Sequence, residues 1–224
     1  MATVLIVGAS RGIGLEFVRQ YAADGDRVLG TCRKDADADQ LRKLGARPLR
    51  LDLLDAASRD ALVPQIGDAR IDVAVFSAGV YGARTAGLTV PDPAEFNRVM
   101  HTNVLAPMHL ITLLAPVLAA RGAKLAVMSS RMGSIGLMAS TSGWLYRASK
   151  AGVNAVLRAA SLELGPRGVV CMAFHPGWVR TDMGGTDASI DVTESVSHLR
   201  RVIAQANDSH NGKFLNYTGV HLSW

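Results

Sequence analysis

Tyr146 and Lys150 stand four residues apart in Tyr146-Arg-Ala-Ser-Lys150, inside a segment of helical periodicity, so both side chains share one helix face. A phenol with a pKa of about 10 is a poor acid or base at neutral pH, and a lysine of about 10.4 stays charged. A fixed ammonium beside the phenol favours phenolate and turns the pair into a proton-transfer unit for a carbonyl or alcohol oxygen. The spacing also occurs by chance, and a solvent-facing pair would explain it equally. Its position adds weight, because the pair follows a fifth apolar run that ends at Ser129-Ser130.

A second chemical feature lies at the opposite end of the chain. Gly8-Ala-Ser10-Arg11-Gly12-Ile13-Gly14 follows a short apolar run and opens directly into a helical pattern. Glycines let a backbone turn sharply and approach a pyrophosphate, while a helix N-terminus supplies unpaired N–H groups and partial positive charge. Between a strand and a helix this turn reads as a dinucleotide site. The second apolar run ends at Thr31-Cys32-Arg33-Lys34, where an NAD site would carry an acidic residue. Arg11 and Arg33 could instead give a 2′-phosphate charge-assisted bonds worth roughly 1.5 to 3 kcal/mol each, so the expected cofactor is NADP(H). A solvated surface role for Arg33 is the competing reading. Moving the Tyr146 pKa by about three units needs about 4 kcal/mol, within the combined reach of Lys150 and a cationic nicotinamide.

These residues need a frame of alternating strands and helices. Apolar runs at Thr3–Val7, Arg27–Thr31, Ala46–Leu51, Asp72–Ser77, Ala123–Ser129, Val169–Phe174 and Lys213–Tyr217 predict about seven strands. Helical periodicity predicts Ile13–Asp24, Asp37–Leu44, Ala56–Ile66, Pro93–Ala120, Trp144–Leu164 and Ser195–Ala206. The alternation is that of an α/β fold, a doubly wound (Rossmann) parallel sheet with helices on both faces, built as a single domain over residues 1–224. Residues 181–193, with Gly184 and Gly185 and little periodicity, are the candidate for a mobile lid.

Composition removes several alternatives. Hydrophobic residues make up 49% and charged residues 19%, a globular balance. The net charge of +5 admits an anionic partner, but the arginines are interleaved with acids and aromatics are only 5%, so a phosphorylated small molecule is expected rather than nucleic acid. Cys32 and Cys171 have no metal-ligand spacing and read as buried thiols. With neither a signal-peptide pattern nor an apolar span of about 18 residues, no membrane association is expected and the expected location is the cytoplasm.

Taken together, the residues resemble the short-chain dehydrogenase/reductase family over Val4 to Trp224. Gly8-x-x-x-Gly12-x-Gly14 is similar to the family's cofactor turn, and Leu51-Asp52-Leu53 to the strand end whose Asp contacts adenine. Ser77-Ala78-Gly79 stands where the family usually carries Asn-Ala-Gly, so Ser77 and the preceding Phe76 are departures. The resemblance implies that Asn103, in His-Thr-Asn103-Val-Leu-Ala-Pro, holds a relay water beside Lys150, and that Ser130 polarises the substrate oxygen, with Ser134 as rival. Ser130 lies 16 residues before Tyr146, a wider gap than usual, which implies a loop enlarged between Gly136 and Trp144. Pro176, Gly177, the Val179 backbone and the Thr181 hydroxyl are the implied nicotinamide contacts, and His175 reads as a packed or capping residue. Met138, Trp144, Trp178 and Met183 suggest an apolar substrate face, with core packing as the alternative.

Ser130–Ile135, the Tyr146 motif and the ending Gly212-Lys-Phe-Leu-Asn-Tyr-Thr-Gly look like the branch of C-factor-like and sniffer-like carbonyl reductases, some of whose members are associated with signalling. The implied activity is NADP(H)-dependent hydride transfer on a small carbonyl or alcohol substrate in a homodimer or homotetramer. Its alternative is an NADP(H)-binding sensor with little turnover.

Overall fold

The structure, a computed structural model, describes every residue except Ala86 and Ala120. Seven strands form one parallel sheet: β1 (Thr3–Val7), β2 (Arg27–Cys32), β3 (Arg47–Arg50), β4 (Val73–Phe76), β5 (Lys124–Met128), β6 (Val170–His175) and β7 (Lys213–Asn216). Their order is β3-β2-β1-β4-β5-β6-β7, so the direction of winding reverses between β1 and β4. A ligand crevice opens beyond the carboxyl ends of the strands flanking such a reversal. Here those ends are Gly8, which follows β1, and Ser77 to Gly79, which follow β4.

Alternation along the strands divides the core in two. Leu5 and Val7 of β1 face one apolar layer with Leu125, Val127, Val153 and Leu157, whereas Val4 and Ile6 face the other with Phe17, Val18, Leu41 and Phe174. Both faces of every central strand are therefore covered, which explains their near-continuous apolar runs.

The helices are α1 (Gly12–Ala23), α2 (Asp35–Lys43), α3 (Ala56–Asp60), α4 (Leu62–Ile66), α5 (Pro93–Met100), α6 (Ala106–Leu114), α7 (Trp144–Leu164) and α8 (Val192–Gln205). Helix α7 has the expected bounds. It buries Tyr146, Ser149, Lys150, Val153, Asn154, Leu157, Ser161 and Leu164, a three- and four-residue spacing that forms a single stripe. Each fully buried Val or Leu in the stripe contributes about 1.5 to 3 kcal/mol, so apolar packing further along the helix fixes where its polar N-terminal end sits.

Two expected helices are interrupted, in each case at a proline. Residues 56–66 form two short helices that meet at Ala61, because Pro64 has no N–H to return to the Asp60 carbonyl. The segment expected at Pro93–Ala120 becomes α5, a wider π turn at His101–Leu105, and α6, which stops at Leu114 ahead of Pro116. The last expected residue, Ala120, lies outside the described residues. The strands run from one residue longer to two shorter than expected, within ordinary fraying.

Candidate active site

At the crevice, the turn from β1 into α1 is closed by glycine. A Cβ on Gly14 would collide with the carbonyl oxygen of Gly8, and one on Gly8 would lie 2.7 Å from backbone and side-chain atoms of Ala78. The β1 and β4 ends therefore touch through bare backbone. The first turn of α1 has no side-chain cap on its N–H groups. A glycine-walled turn with uncapped helix N–H groups fits a pyrophosphate.

Other residues expected around a dinucleotide follow the carboxyl ends of β1, β2, β3 and β4. The Asp52 side chain accepts from Leu54 N at 2.9 Å, while its own N–H donates to Ser58, and the Leu53 carbonyl accepts from Arg59. Ser77 and Ala78 both donate from the backbone to the Val7 carbonyl, at 2.9 and 3.0 Å. Arg33 is exposed, and among the described residues nothing pairs with it. Arg11 meets Asp182 at 3.2 Å in a pair exposed on both sides, which contributes little to stability and leaves the guanidinium accessible.

The stretch after β6 crosses over the glycine turn, where Thr181 would touch a Cβ on Gly12 at 3.4 Å. It is held by backbone bonds from Arg180 N to Ile190 O and from Ile190 N to Trp178 O. The Thr181 hydroxyl is already engaged in its own turn, donating to Val179 O and accepting from Gly184 N. Pro176 accepts from the Ser195 hydroxyl at 2.6 Å, tying this turn to α8.

On the other side of β4 stands the Tyr146–Lys150 pair, buried at 8% and 5% exposure. The Lys150 ammonium donates to the Met128 carbonyl at 2.9 Å and lies 5.6 Å from the Tyr146 ring centre. Burial lowers the Lys150 pKa to about 8. Burial also pushes the Tyr146 phenol well above its ordinary value, a hydrogen bond with Ser130 opposes the rise, and nearby Tyr81 adds to it. In the polypeptide alone, desolvation is therefore the dominant influence on the phenol, and it acts against the lowering expected from Lys150.

Ser130 and Ser134 part company in space. Ser130 reaches Tyr146, whereas the Ser134 hydroxyl donates to the Ser223 and Trp224 carbonyls and accepts from Leu137 N. Ser130 also caps the short helical turn Arg131–Gly133 through Met132 N.

Asn103 sits in the π turn. Its side-chain oxygen accepts from Val80 N, and its amide donates to Val80 O and to the Ser149 hydroxyl, all at 2.8 to 2.9 Å. Ser149 in turn donates to Tyr146 O. With the side chain committed, the group Asn103 can still offer is its main-chain carbonyl. Residue 107 is proline, so that carbonyl lacks its α-helical N–H partner. Above it, a Cβ on Gly79 would lie 3.3 Å from both Asn103 Oδ1 and Lys150 Nζ, so these two groups converge on one point.

On the substrate side the alternative of core packing fails for three of the four apolar residues. Met138, Trp178 and Met183 are exposed rather than packed in the core, and the Trp144 and Trp178 indoles donate to the Thr89 and Gly184 carbonyls. A cavity of about 470 Å³, one wall of which is the Tyr81 ring stacked on Tyr146, is lined by Tyr81, Arg84, Thr85, Gly87, Ser140, Thr141 and Ser142, mostly polar groups. Tyr81, Ser149 and Pro107 were not among the expected site residues. Only Pro107 carried a sequence signal, a proline four residues after Asn103.

His175 is packed as expected. Burial and the Arg131 charge lower its pKa to about 4, so it is neutral at pH 7, and its Nδ1 has no partner among the described residues. Both cysteines are free and buried. No helix of the described residues is long and apolar enough to cross a membrane.

The model of the family described as short chain dehydrogenase matches residues 2–190. The chain belongs to this family. Among its relatives, C-signal of Myxococcus xanthus is 38% identical over 156 residues, which cover 69% of this chain and 93% of that protein. The carbonyl reductase Sniffer of D. melanogaster superposes with a TM-score of 0.91 at 30% identity, covering all of both chains. An NADPH-bound carbonyl reductase from chicken fatty liver gives 0.90 at 31% identity, covering 100% of this chain and 99% of that one. As a short-chain dehydrogenase, the chain carries the family's doubly wound sheet with the Tyr146 motif at the start of its longest helix.

Proposed function

We propose that this short-chain dehydrogenase is an NADP(H)-dependent oxidoreductase interconverting a small carbonyl compound and its alcohol. The observation that carries the reading is the buried Tyr146–Lys150 pair, with Ser130 on the phenol, next to the glycine-walled turn. The similarity to an NADPH-bound carbonyl reductase at 31% identity supports it.

Gly8, Ser10, Gly12, Ile13 and Gly14 would hold the pyrophosphate, Asp52, Leu53, Ser77, Ala78 and Gly79 the adenosine side, and Pro176, Gly177, Val179 and Thr181 the nicotinamide side. Arg11 and Arg33 would take the 2′-phosphate. When bound, the cofactor supplies the hydride. Tyr146 holds a proton at Oη that its buried setting keeps in place, ready for an alkoxide oxygen. Ser130 orients that oxygen, and Lys150 replenishes the proton and holds ribose hydroxyls. The Asn103 main-chain carbonyl would hold the water that connects Lys150 to solvent, a role its committed side chain cannot fill. General acid catalysis of this kind contributes about 10² to 10⁴ in rate.

The test is NADPH consumption over a panel of aldehydes, ketones and quinones, with Tyr146→Phe beside the wild type. Carbonyl-dependent oxidation that falls by about 10² or more in the variant, at unchanged NADPH affinity, is expected. The 38% identity to C-signal supports a second reading, an NADP(H)-binding signalling protein with little turnover, and NADPH binding without carbonyl dependence would favour it. A homodimer or homotetramer in the cytoplasm completes the proposal. Exposed Phe96, Leu105, Met108 and Leu162 on α5–α7 support the assembly, which light scattering checks.

A further inference from the structure

The cavity beside Tyr146 is walled by a stack of rings and charges. The Tyr81 ring lies 4.6 Å from that of Tyr146, and the Arg84 guanidinium lies 4.8 Å from the Tyr81 ring on the cavity side. Room for Tyr81 comes from Gly143, the residue before α7. Gly143 has φ +66, and a Cβ there would collide with the Tyr81 hydroxyl. The lining also includes Ser140, Thr141 and Ser142, and Arg147 donates to the Ser142 carbonyl at 2.8 Å. No acidic side chain lines the cavity among the described residues.

Two carboxylates on neighbouring segments have cationic partners of their own. Glu95 accepts from Arg98 and from Ala83 N, and Asp182 pairs with Arg11. Among the described residues Arg84 donates once, to the Met183 carbonyl at 2.8 Å, and no ion pair engages it. Arg84 lines a cavity rich in hydroxyl donors. The planar fork of a guanidinium matches a carboxylate.

We propose that this cavity selects a carbonyl substrate bearing a carboxylate, held by Arg84 while the carbonyl end reaches Tyr146 past the ring of Tyr81. The inference rests on the oxidoreductase reading above and names its substrate class. The cavity has the volume of a small-molecule site. Arg84 acts on binding, so its effect belongs in KM rather than kcat.

The experiment compares 4-formylbenzoate with methyl 4-formylbenzoate, which differ in charge and little in size, on wild type, Arg84→Gln and Arg84→Lys. NADPH consumption gives kcat and KM, and calorimetry of 4-(hydroxymethyl)benzoate and its methyl ester on the NADP⁺-saturated protein gives binding without turnover. The expected result is a KM about tenfold lower for the acid than for the ester in wild type, a preference lost in Arg84→Gln and partly restored in Arg84→Lys. Equal KM for acid and ester in wild type overturns the carboxylate site and leaves the oxidoreductase reading intact. An acid preference that Arg84→Gln keeps overturns the assignment to Arg84. If neither aldehyde is turned over but calorimetry shows an acid preference that needs Arg84, the carboxylate site stands and the reaction assigned above is wrong. If calorimetry shows no preference either, both fall.

Discussion

Tyr81 and Tyr146 lie face to face, their ring centres 4.6 Å apart and their planes 23° from parallel. One comes from the loop after β4 and the other from the first turn of α7, so the stack ties that loop to the helix. Aromatic pairs of this kind contribute about 0.5 to 1.5 kcal/mol beyond area burial. Tyr81→Ala should therefore lower kcat by up to about tenfold as Tyr146 loses its support. Tyr81→Phe keeps the ring and should stay near wild type in steady-state assays. Equal losses in both variants would assign the effect to the Tyr81 hydroxyl instead.

Arg33 stands exposed just past β2. Exchanging it for Asp replaces an attractive group for a 2′-phosphate with a repulsive one. Each charge-assisted bond removed is worth roughly 1.5 to 3 kcal/mol, or about ten- to a hundredfold in affinity. Fluorescence titration of Arg33→Asp with NADPH and NADH should show that loss for NADPH and little change or a gain for NADH. Unaltered NADPH affinity would remove Arg33 from the cofactor site.

Lys150 carries a stability cost of definite sign. Its pKa falls from 10.5 to about 8 in the fold, so below pH 8 folded and unfolded chains both hold the proton, and the folded one holds it at a disadvantage. Between about 8 and 10 the unfolded state binds more protons, and stability rises with pH. The full shift corresponds to about 3 kcal/mol. Urea denaturation across pH 7 to 9.5, compared with Lys150→Met, isolates this contribution from the cysteines, whose raised pKa values act in the opposite sense. The wild-type minus variant stability should climb with pH, and a flat difference would contradict the buried ammonium.

Pro107 withholds an N–H from the Asn103 carbonyl, and the helix widens into a π turn there. Pro107→Ala restores the donor. An interior proline costs about 3 kcal/mol in a helix, so the variant should denature at higher urea. At the same time kcat should fall, with NADPH affinity unchanged, because the carbonyl proposed to hold the relay water acquires a partner. A variant that is more stable and equally active would detach the π turn from catalysis.

Much of this was legible in the linear chain because its signals are local. Apolar runs of five or six residues alternating with helical periodicity determined the doubly wound sheet, since a strand buried on both faces has no other economical sequence. Gly8, Gly12 and Gly14 determined the turn, since no other residue leaves backbone so close to backbone as at Gly8 and Gly14 or so readily adopts the positive φ of Gly12. The spacing of Tyr146 and Lys150 determined a shared helix face, because 3.6 residues make a turn.

What only tertiary structure decided depends on contacts between distant segments. Ser130 and Ser134 are equivalent as letters, and the carbonyls of residues 223 and 224 separate them by engaging Ser134 alone. Arg84 reads as one more surface cation until the fold commits Glu95 to Arg98 and Asp182 to Arg11, and leaves Arg84 over Tyr81. The titration of Tyr146 and Lys150 follows the same rule. The sequence supplied the charge that favours phenolate, but burial, which exists only once α7 packs on the sheet, pushes the phenol pKa up and the ammonium pKa down.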